Sequence, residues 1–336
     1  MLTPKENLLE TIKVGGHPDC LPNSYTPFQA IGGDPIFQFL RGNRIRGTTS
    51  HDRWGTLILF PEDAPAAVPL VTQENQVLPD ITRWQEYVKV PDLVANCSEG
   101  WETAQQNAAA IDRDRYLSMI IMGTGIFEQL HFLMTFEDTL MNLLTEPEAT
   151  HELIDVIMDF RLTHMRMVVE KLHPDIICSH DDWGSKNSLF MSPETWREFF
   201  KEPYRKLYKY LHDNGVMVMH HADSFLEPIV EDMAEIGVDI WQGVLPSNDI
   251  PAISKRLNGS MALMGGIDSV IDRADATEEE IRTETRRACN EYGELGHFIP
   301  CMTYGALGTI YPEVEPVIID EVARYNVEHF GGTTEL

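Results

Sequence analysis

Six short apolar segments alternate with longer segments of helical periodicity from Leu117 onward, and this alternation restricts the fold more than any other feature. Helix start signals at Ser192-Pro193 and at Thr277 lie between the apolar segments. Strand–helix–strand units with short loops produce parallel pairing and right-handed crossovers, so the pattern predicts an α/β fold with a parallel sheet. The predicted strands are Leu117–Gly123, Asp175–His180, Val216–Ala222, Asp239–Gly243, Met261–Ile267 and His297–Met302.

A closed barrel of eight strands needs two more strands from the first hundred residues. The segment Tyr25–Ile31 matches a first strand, and the other is not apparent. An open doubly wound sheet is the alternative, but no glycine-rich phosphate-binding fingerprint follows a predicted strand. We therefore predict a (β/α)8 TIM barrel that forms a single domain over residues 1–336. The Pro-rich segment Arg46–Val90 is predicted to be an N-terminal excursion, a hairpin and lid, near the barrel mouth.

The charge and the apolar content limit the partners that we expect. The formal net charge is −27, which repels phosphate backbones and argues against nucleic acid. It also disfavours substrates with many carboxylates, unless a local arginine cluster overrides it. Apolar runs such as Leu117–Met122 are far shorter than the roughly 20 residues that cross a bilayer, and Met1–Thr11 lacks the layout of a signal peptide. We therefore expect a cytoplasmic protein with no membrane partner.

Cysteine usage gives no support to a disulfide framework. The chain has five cysteines, an odd number, and they are widely spaced. Each is expected to be a small buried hydrophobic residue unless a local argument indicates otherwise.

Polar residues follow the predicted strands, and in a parallel barrel the carboxyl ends of all strands meet at one mouth. Because strand side chains alternate, only one of His220 and His221 can point into the mouth. The side chains of the adjacent residues Asp181 and Asp182 also point in different directions. We therefore expect one to cap the following loop and the other to act on substrate as an acid, a base or an orienting group. The candidate residues are Glu128, Asp181, Asp182, Trp183, His220, His221, Gln242, Gly266, Cys301 and Tyr304.

Cys301, at the end of the last predicted strand, has two interpretations. It is either a buried thiol or a soft metal ligand, since thiolate and imidazole together suit zinc. The sequence has no CxxC or HExxH motif, so no local spacing supports a metal site.

Three segments resemble the uroporphyrinogen decarboxylase superfamily. They are Ser192–Gly243, with Pro203-Tyr204 and the histidine-containing strand, then Met264-Gly265-Gly266-Ile267-Asp268 and the early Asp52-Arg53-Trp54-Gly55. The resemblance implies a (β/α)8 barrel. It also implies either cofactor-free decarboxylation of uroporphyrinogen or methyl transfer to or from corrinoid proteins.

The decarboxylase activity fits this chain poorly. Decarboxylases of the superfamily carry an Arg-Gln-Ala-Gly-Arg segment that holds a substrate with many carboxylates. The corresponding region, Tyr25–Gly33, has no arginine, and Arg41, Arg44 and Arg46 do not fit the motif. The resemblance therefore favours the methyltransferase branch.

Methyltransferases of the superfamily often bind zinc through a His-x-Cys strand and a later cysteine. On that pattern His220 and Cys301 are the zinc ligands, but Ala222 occupies the middle position and cannot ligate. Either His221, Asp223 or Gln242 supplies a third ligand, or the protein holds no metal.

The leading hypothesis is a methyltransferase that moves a methyl group between a small donor, such as a methoxylated aromatic, and a corrinoid protein. The leaving oxygen would be stabilised by zinc at His220 and Cys301, or by a proton from Asp182, His221 or Tyr304. The substrate contacts are assigned to Glu128, Asp181, Trp183, Gln242 and Gly266. The resemblance leaves the donor and the direction of transfer open.

Two other functions remain open on the sequence alone. One is a decarboxylase or lyase that acts on a small acid without metal through Asp182 and His221. The other is a non-catalytic partner of a methyltransferase. An exposed side of the barrel could support a homodimer.

Overall fold

The structure, a computed structural model, describes residues 2–62, 66–303 and 310–331. Its strands are β1 (Phe28–Ala30), β2 (Thr48–His51), β3 (Leu57–Phe60), β4 (Val68–Pro69), β5 (Leu117–Met122), β6 (Ile176–His180), β7 (Met217–His221), β8 (Ile240–Val244), β9 (Ala262–Ile267) and β10 (Phe298–Met302). Seven of them form one parallel sheet in the order β1-β5-β6-β7-β8-β9-β10. All six strands predicted from the alternation are confirmed, as is the first strand.

The sheet curls into an α/β barrel of the predicted class. Its edges approach each other where the N–H and the hydroxyl of Ser24, just before β1, donate to the Pro300 carbonyl on β10, at 3.2 and 3.1 Å. The described residues supply seven strands to this sheet rather than eight, because β2, β3 and β4 pair only with one another.

Helices alternate with the barrel strands. They are α1 (Pro4–Ile12), α2 (Pro35–Arg41), α3 (Trp84–Tyr87), α4 (Leu93–Cys97), α5 (Glu102–Ala110), α6 (Ile126–Leu133), α7 (Phe136–Thr145), α8 (Pro147–Leu172), α9 (Pro193–Trp196), α10 (Glu202–Asp213), α11 (Val230–Glu235), α12 (Ile250–Leu257), α13 (Glu278–Tyr292) and α14 (Val314–Phe330). Helix α1, which precedes β1, packs Leu8 against the apolar interior of the barrel. The expected start signals are present: the side chains of Ser192 and Thr277 accept the N–H groups of Thr195 and Glu280. No helix of the described residues combines the length and apolar character needed to span a bilayer.

The inside of the barrel is filled by apolar side chains that alternate along each strand. Those facing inward include Met119, Cys178, Met219, Ile240, Met264, Ile299 and Cys301, all buried. Polar side chains take the next inward-facing positions toward the carboxyl ends of the strands, where the barrel opens. The apolar interior therefore acts as the floor of the mouth.

The excursion is a three-stranded antiparallel sheet of β2, β3 and β4 rather than the expected hairpin. It packs against α6 and α8, where the Thr56 hydroxyl donates to the Phe132 carbonyl at 2.9 Å and the Trp54 ring meets the Phe160 ring edge-on. A turn fixes this corner, since the Asp52 carboxylate accepts the N–H groups of Trp54 and Thr56. The excursion thus lies near the barrel mouth, as predicted.

Candidate functional site

Two histidines and a carboxylate meet at the carboxyl ends of β6 and β7. His180 and His221 are opposite each other in the parallel register, and their ring centroids are 4.6 Å apart. Asp182 follows β6, and its Oδ2 lies 3.5 Å from Nε2 of His180. One donor atom from each of the three side chains lies within 4.8 Å of the others. We call these three residues the His-Asp-His cluster.

Glu128 and Gln242 hold the two imidazoles from either side. Oε2 of Glu128, on α6, lies 3.4 Å from Nδ1 of His180. The side-chain oxygen of Gln242 is hydrogen-bonded to Nδ1 of His221. Because an amide oxygen only accepts, this contact places the proton of neutral His221 on Nδ1 and leaves the lone pair on Nε2. Such outer partners orient a metal-binding imidazole.

The charges of the cluster are set by burial and by the neighbouring carboxylates. Burial by itself lowers the pKa of His180, but Glu128 and Asp182 outweigh it and raise this pKa to about 10. Burial raises the pKa of Glu128. For Asp182 the effect of burial is outweighed by His180, and its pKa falls below the usual value. Burial and the His180 charge lower the pKa of His221 to about 4, so His221 is neutral near pH 7.

Asp181, one residue before Asp182, has a different environment. Its carboxylate is fully buried and accepts the N–H groups of Phe127 and Glu128 at 3.0 and 2.9 Å. It also accepts the Trp183 indole N–H at 3.0 Å and the Tyr204 hydroxyl at 2.5 Å. The structure therefore places this predicted substrate contact at the N-terminus of α6, where it satisfies backbone donors that the helix cannot pair itself.

His220 faces the helices and not the mouth, which corrects its assignment as a zinc ligand. Its Nδ1 is hydrogen-bonded to the Tyr208 hydroxyl at 2.7 Å and its Nε2 to the Asp181 carbonyl at 3.1 Å. The ring stacks on Trp183, and both side chains are fully buried. Burial lowers the pKa of His220 to about 3. Neither ring nitrogen is free for a metal.

Cys301 lies on the inner face of the sheet, opposite to the face that carries His220. The structure therefore does not bring together the predicted zinc pair, and the His-Asp-His cluster contains neither residue. Burial raises the pKa of the Cys301 thiol to about 12, although hydrogen bonds with Ser24 and Gln242 favour the thiolate. Cys301 thus lies beside Gln242 but outside the cluster.

The remaining predicted residues divide between the site and its surroundings. Asp223, considered as a third ligand, lies next to the cluster, where its N–H donates to Oδ1 of Asp182 at 3.1 Å. Gly266, on β9, has a φ of +80°, and an added Cβ would meet the rings of Tyr292 and Phe298. It therefore belongs to the packing of β9 against α13 and β10. Tyr304 lies outside the described residues.

Among the described residues, the His-Asp-His cluster is the group that fits a metal ion. Two imidazoles and one carboxylate are a donor set that suits zinc or another first-row metal and leaves a position open for substrate. The orienting contacts from Glu128 and Gln242 add the outer layer that such sites have. The pair implied by the resemblance, His220 and Cys301, does not fit.

His180 is the site residue that the sequence reasoning overlooked. It is the last residue of a correctly predicted strand, and it lies two positions after Cys178, which faces the barrel interior. The same alternation that was applied to His220 and His221 would have placed it at the mouth.

Comparisons with known proteins agree with this architecture. A sequence profile of the family described as uroporphyrinogen decarboxylase matches residues 67–325, well over half of the chain. A methyltransferase from Methanosarcina mazei has a similar structure, with a TM-score of 0.69 and 16% sequence identity over 97% of this chain and 99% of that one. At this identity the likeness shows a shared fold.

Other comparisons add little. A dihydropteroate synthase from Anaplasma phagocytophilum has a TM-score of 0.36 and 17% identity over 53% of this chain and 68% of that one, which is too weak a likeness to support an inference. No curated protein sequence gives a significant match. The profile match, together with the barrel, decides the family: the chain belongs to the uroporphyrinogen decarboxylase family.

Proposed function

We propose that this protein is a methyltransferase that moves a methyl group between a small donor, such as a methoxylated aromatic, and a corrinoid carried by a partner protein. The observation that carries the proposal is the His-Asp-His cluster at the barrel mouth. It supplies a metal-binding donor set where a family member would bind substrate. Family membership and the similar structure of a methyltransferase from Methanosarcina mazei support the proposal.

Removal of a methyl group from an oxygen requires stabilisation of the charge that develops on the leaving oxygen. Zinc held by His180, Asp182 and His221 would supply Lewis acidity at that oxygen when bound. The neutral state of His221 suits this role, since its Nε2 lone pair is not protonated near pH 7. Gln242 fixes the ring of His221, and Glu128 fixes the ring of His180.

A proton for the leaving oxygen can come from the carboxyl groups beside the cluster. Burial and the neighbouring Asp182 raise the pKa of Asp223 to about 7, so this group is partly protonated near neutral pH. Asp223 would then donate its proton as the methyl group passes to the corrinoid. The alignment of donor and corrinoid at the mouth supplies the rest of the catalysis.

The experiment is a methyl-transfer assay with cob(I)alamin, followed by the spectral change on methylation, with methoxylated aromatics, methylamines and methyl thioethers as donors. We expect one donor class to be demethylated, and His221→Ala to lower the rate at least about a hundredfold. His151→Ala is the matched control, since His151 lies on α8 and stacks on Phe199, outside the cluster. Absence of transfer from every donor, or equal rates in both variants, would contradict the proposal.

A second candidate is a decarboxylase or lyase that acts on a small acid without metal. The raised pKa of His180, which follows from Glu128 and Asp182 despite burial, favours it, because a protonated imidazole at the mouth can protonate a carbanion. Carbon dioxide release by metal-free protein, lost in His180→Gln, would select this function over methyl transfer.

A further inference from the structure

A cavity of about 100 Å³ lies beside the barrel mouth, between the excursion and the end of β5. Residues from α6, α8 and the region around α2 converge on it. We call it the arginine cavity, because Arg41, Arg44 and Arg161 line it together with Asp52, Gln129 and His164. The leading sequence hypothesis assigns no function to any of these side chains.

Unpaired polar atoms are concentrated in this cavity. Eight buried side-chain nitrogen or oxygen atoms of the described residues have no hydrogen-bond partner, and three of them belong to its lining. They are Nε of Arg161, Nε2 of Gln129 and Nε2 of His164, from side chains that are 3%, 4% and 8% exposed. Since a buried polar atom without a partner is costly, these atoms indicate a ligand that the cavity is built to receive.

The charge of the cavity is opposite to that of the protein. Asp52 is the only carboxylate in the lining, against three arginines, although the chain as a whole carries −27. None of the three arginines forms a salt bridge in the part of the chain that the structure describes. Arg161 instead donates to the carbonyl groups of Gly123 and Thr124 and to the Ser179 hydroxyl, which fixes its guanidinium in place.

We propose that the arginine cavity binds the carboxylate of a small organic acid. A guanidinium fork and an amide N–H match the planar geometry of a carboxylate, and the local excess of positive charge attracts it. The rings of Trp54 and Phe160 and the side chain of Leu40 line the same cavity, so it also accepts an apolar body attached to the carboxylate. Inorganic phosphate has no such body.

His164 contributes as a neutral partner. Burial and the nearby Arg161 charge lower the pKa of His164 to about 3, so it adds no positive charge near pH 7. The selectivity therefore depends on the arginines, on Gln129 and on the apolar wall. The proposal does not depend on methyl transfer, because it concerns binding alone.

The test is isothermal titration calorimetry of the full chain with benzoate, acetate and inorganic phosphate, without a corrinoid protein. We expect benzoate to bind with a stoichiometry near one, more tightly than acetate or phosphate, and more weakly as salt increases. Arg44→Gln and Gln129→Leu should each weaken benzoate binding about tenfold, the effect of losing one hydrogen bond to a charged group. Arg46→Gln is the matched control, since it removes the same charge from the excursion, where Arg46 stacks on Phe60 and does not line the cavity.

Thermal denaturation of each variant checks that it folds, and Arg44 is suitable because it is partly exposed. Absence of benzoate binding up to about 10 mM, which corresponds to a very weak site, would overturn the proposal. Equal affinities in wild type, Arg44→Gln and Arg46→Gln would also overturn it, as would binding of phosphate but of neither carboxylate. Because the readout is the heat of binding, failure here leaves the proposed methyl transfer untouched.

Discussion

Replacement of Asp181 by asparagine is the substitution whose effect on stability follows most directly from the structure. The Asp181 carboxylate accepts four hydrogen bonds inside the protein, two of them from the first turn of α6. Oδ2 accepts three of the donors, and Oδ1 accepts the N–H of Glu128. Asparagine has nearly the same shape but carries an NH2 group where aspartate has a second acceptor. The variant therefore tests hydrogen bonding without a change of volume.

The magnitude can be worked from these four contacts. The favourable orientation of asparagine keeps the oxygen facing the three donors and turns the NH2 group toward the N–H of Glu128, which loses its acceptor. An unsatisfied buried donor costs about 1–3 kcal/mol, and the remaining bonds lose their charged acceptor. We expect the free energy of unfolding to fall by about 3 kcal/mol in total, a large fraction of the 5–15 kcal/mol typical of a folded protein.

The assay is urea denaturation of Asp181→Asn followed by circular dichroism, with an expected fall in the midpoint of about 1 M. Asp182→Asn is the matched control on the adjacent residue, since the Asp182 side chain is 27% exposed, accepts one backbone N–H and otherwise pairs with the partly exposed His180 at 3.5 Å. We expect it to cost less than about 1 kcal/mol. Equal effects of the two variants would refute the assignment of Asp181 to the fold and of Asp182 to the site.

Three other variants or conditions test neighbouring parts of the account. Gly125→Ala should destabilise the protein in thermal denaturation, because an added Cβ would lie 2.0 Å from Cγ of Asp181; an unchanged midpoint would contradict the packing. Zinc binding should release a proton near pH 7 and strengthen with pH, because the carboxylates raise the pKa of His180 despite burial and keep it protonated. Calorimetry in buffers of different ionisation heat measures the number of protons released. No proton release would count against His180 as a ligand. Gln242→Leu should weaken zinc binding about 10–100-fold, because the variant loses the contact that orients His221. An unchanged zinc affinity in a competition titration would show that Gln242 does not orient this ligand.

The strands were predictable because their signal is local. Each barrel strand is a short apolar segment bounded by helix starts such as Ser192 and Thr277, whose caps form as expected. The antiparallel sheet of the excursion was less predictable, since β4 has only two residues and its pairing depends on tertiary packing. The described residues supply no eighth barrel strand for the same reason, because the strands β2, β3 and β4 pair with one another and not with the barrel sheet.

The side chains at the mouth could be predicted only in part. In β7 the residues before His220 and His221 are all apolar, so residue type does not reveal which face of the strand is inside. The structure resolves this, since Met219 faces the barrel interior and His221 follows two residues later. The arginine cavity combines residues more than a hundred positions apart. Only the spacing of Arg161 and His164, one turn apart on α8, was visible in the sequence.

The central claim is that His180, Asp182 and His221 hold the metal and that His220 and Cys301 do not. Elemental analysis of purified wild type, His221→Ala and Cys301→Ala tests it most directly. We expect about one zinc per chain in wild type and in Cys301→Ala, and loss of the metal in His221→Ala, because His221 belongs to the cluster and Cys301 does not. Metal-free wild type, or metal lost in Cys301→Ala but retained in His221→Ala, would contradict the account.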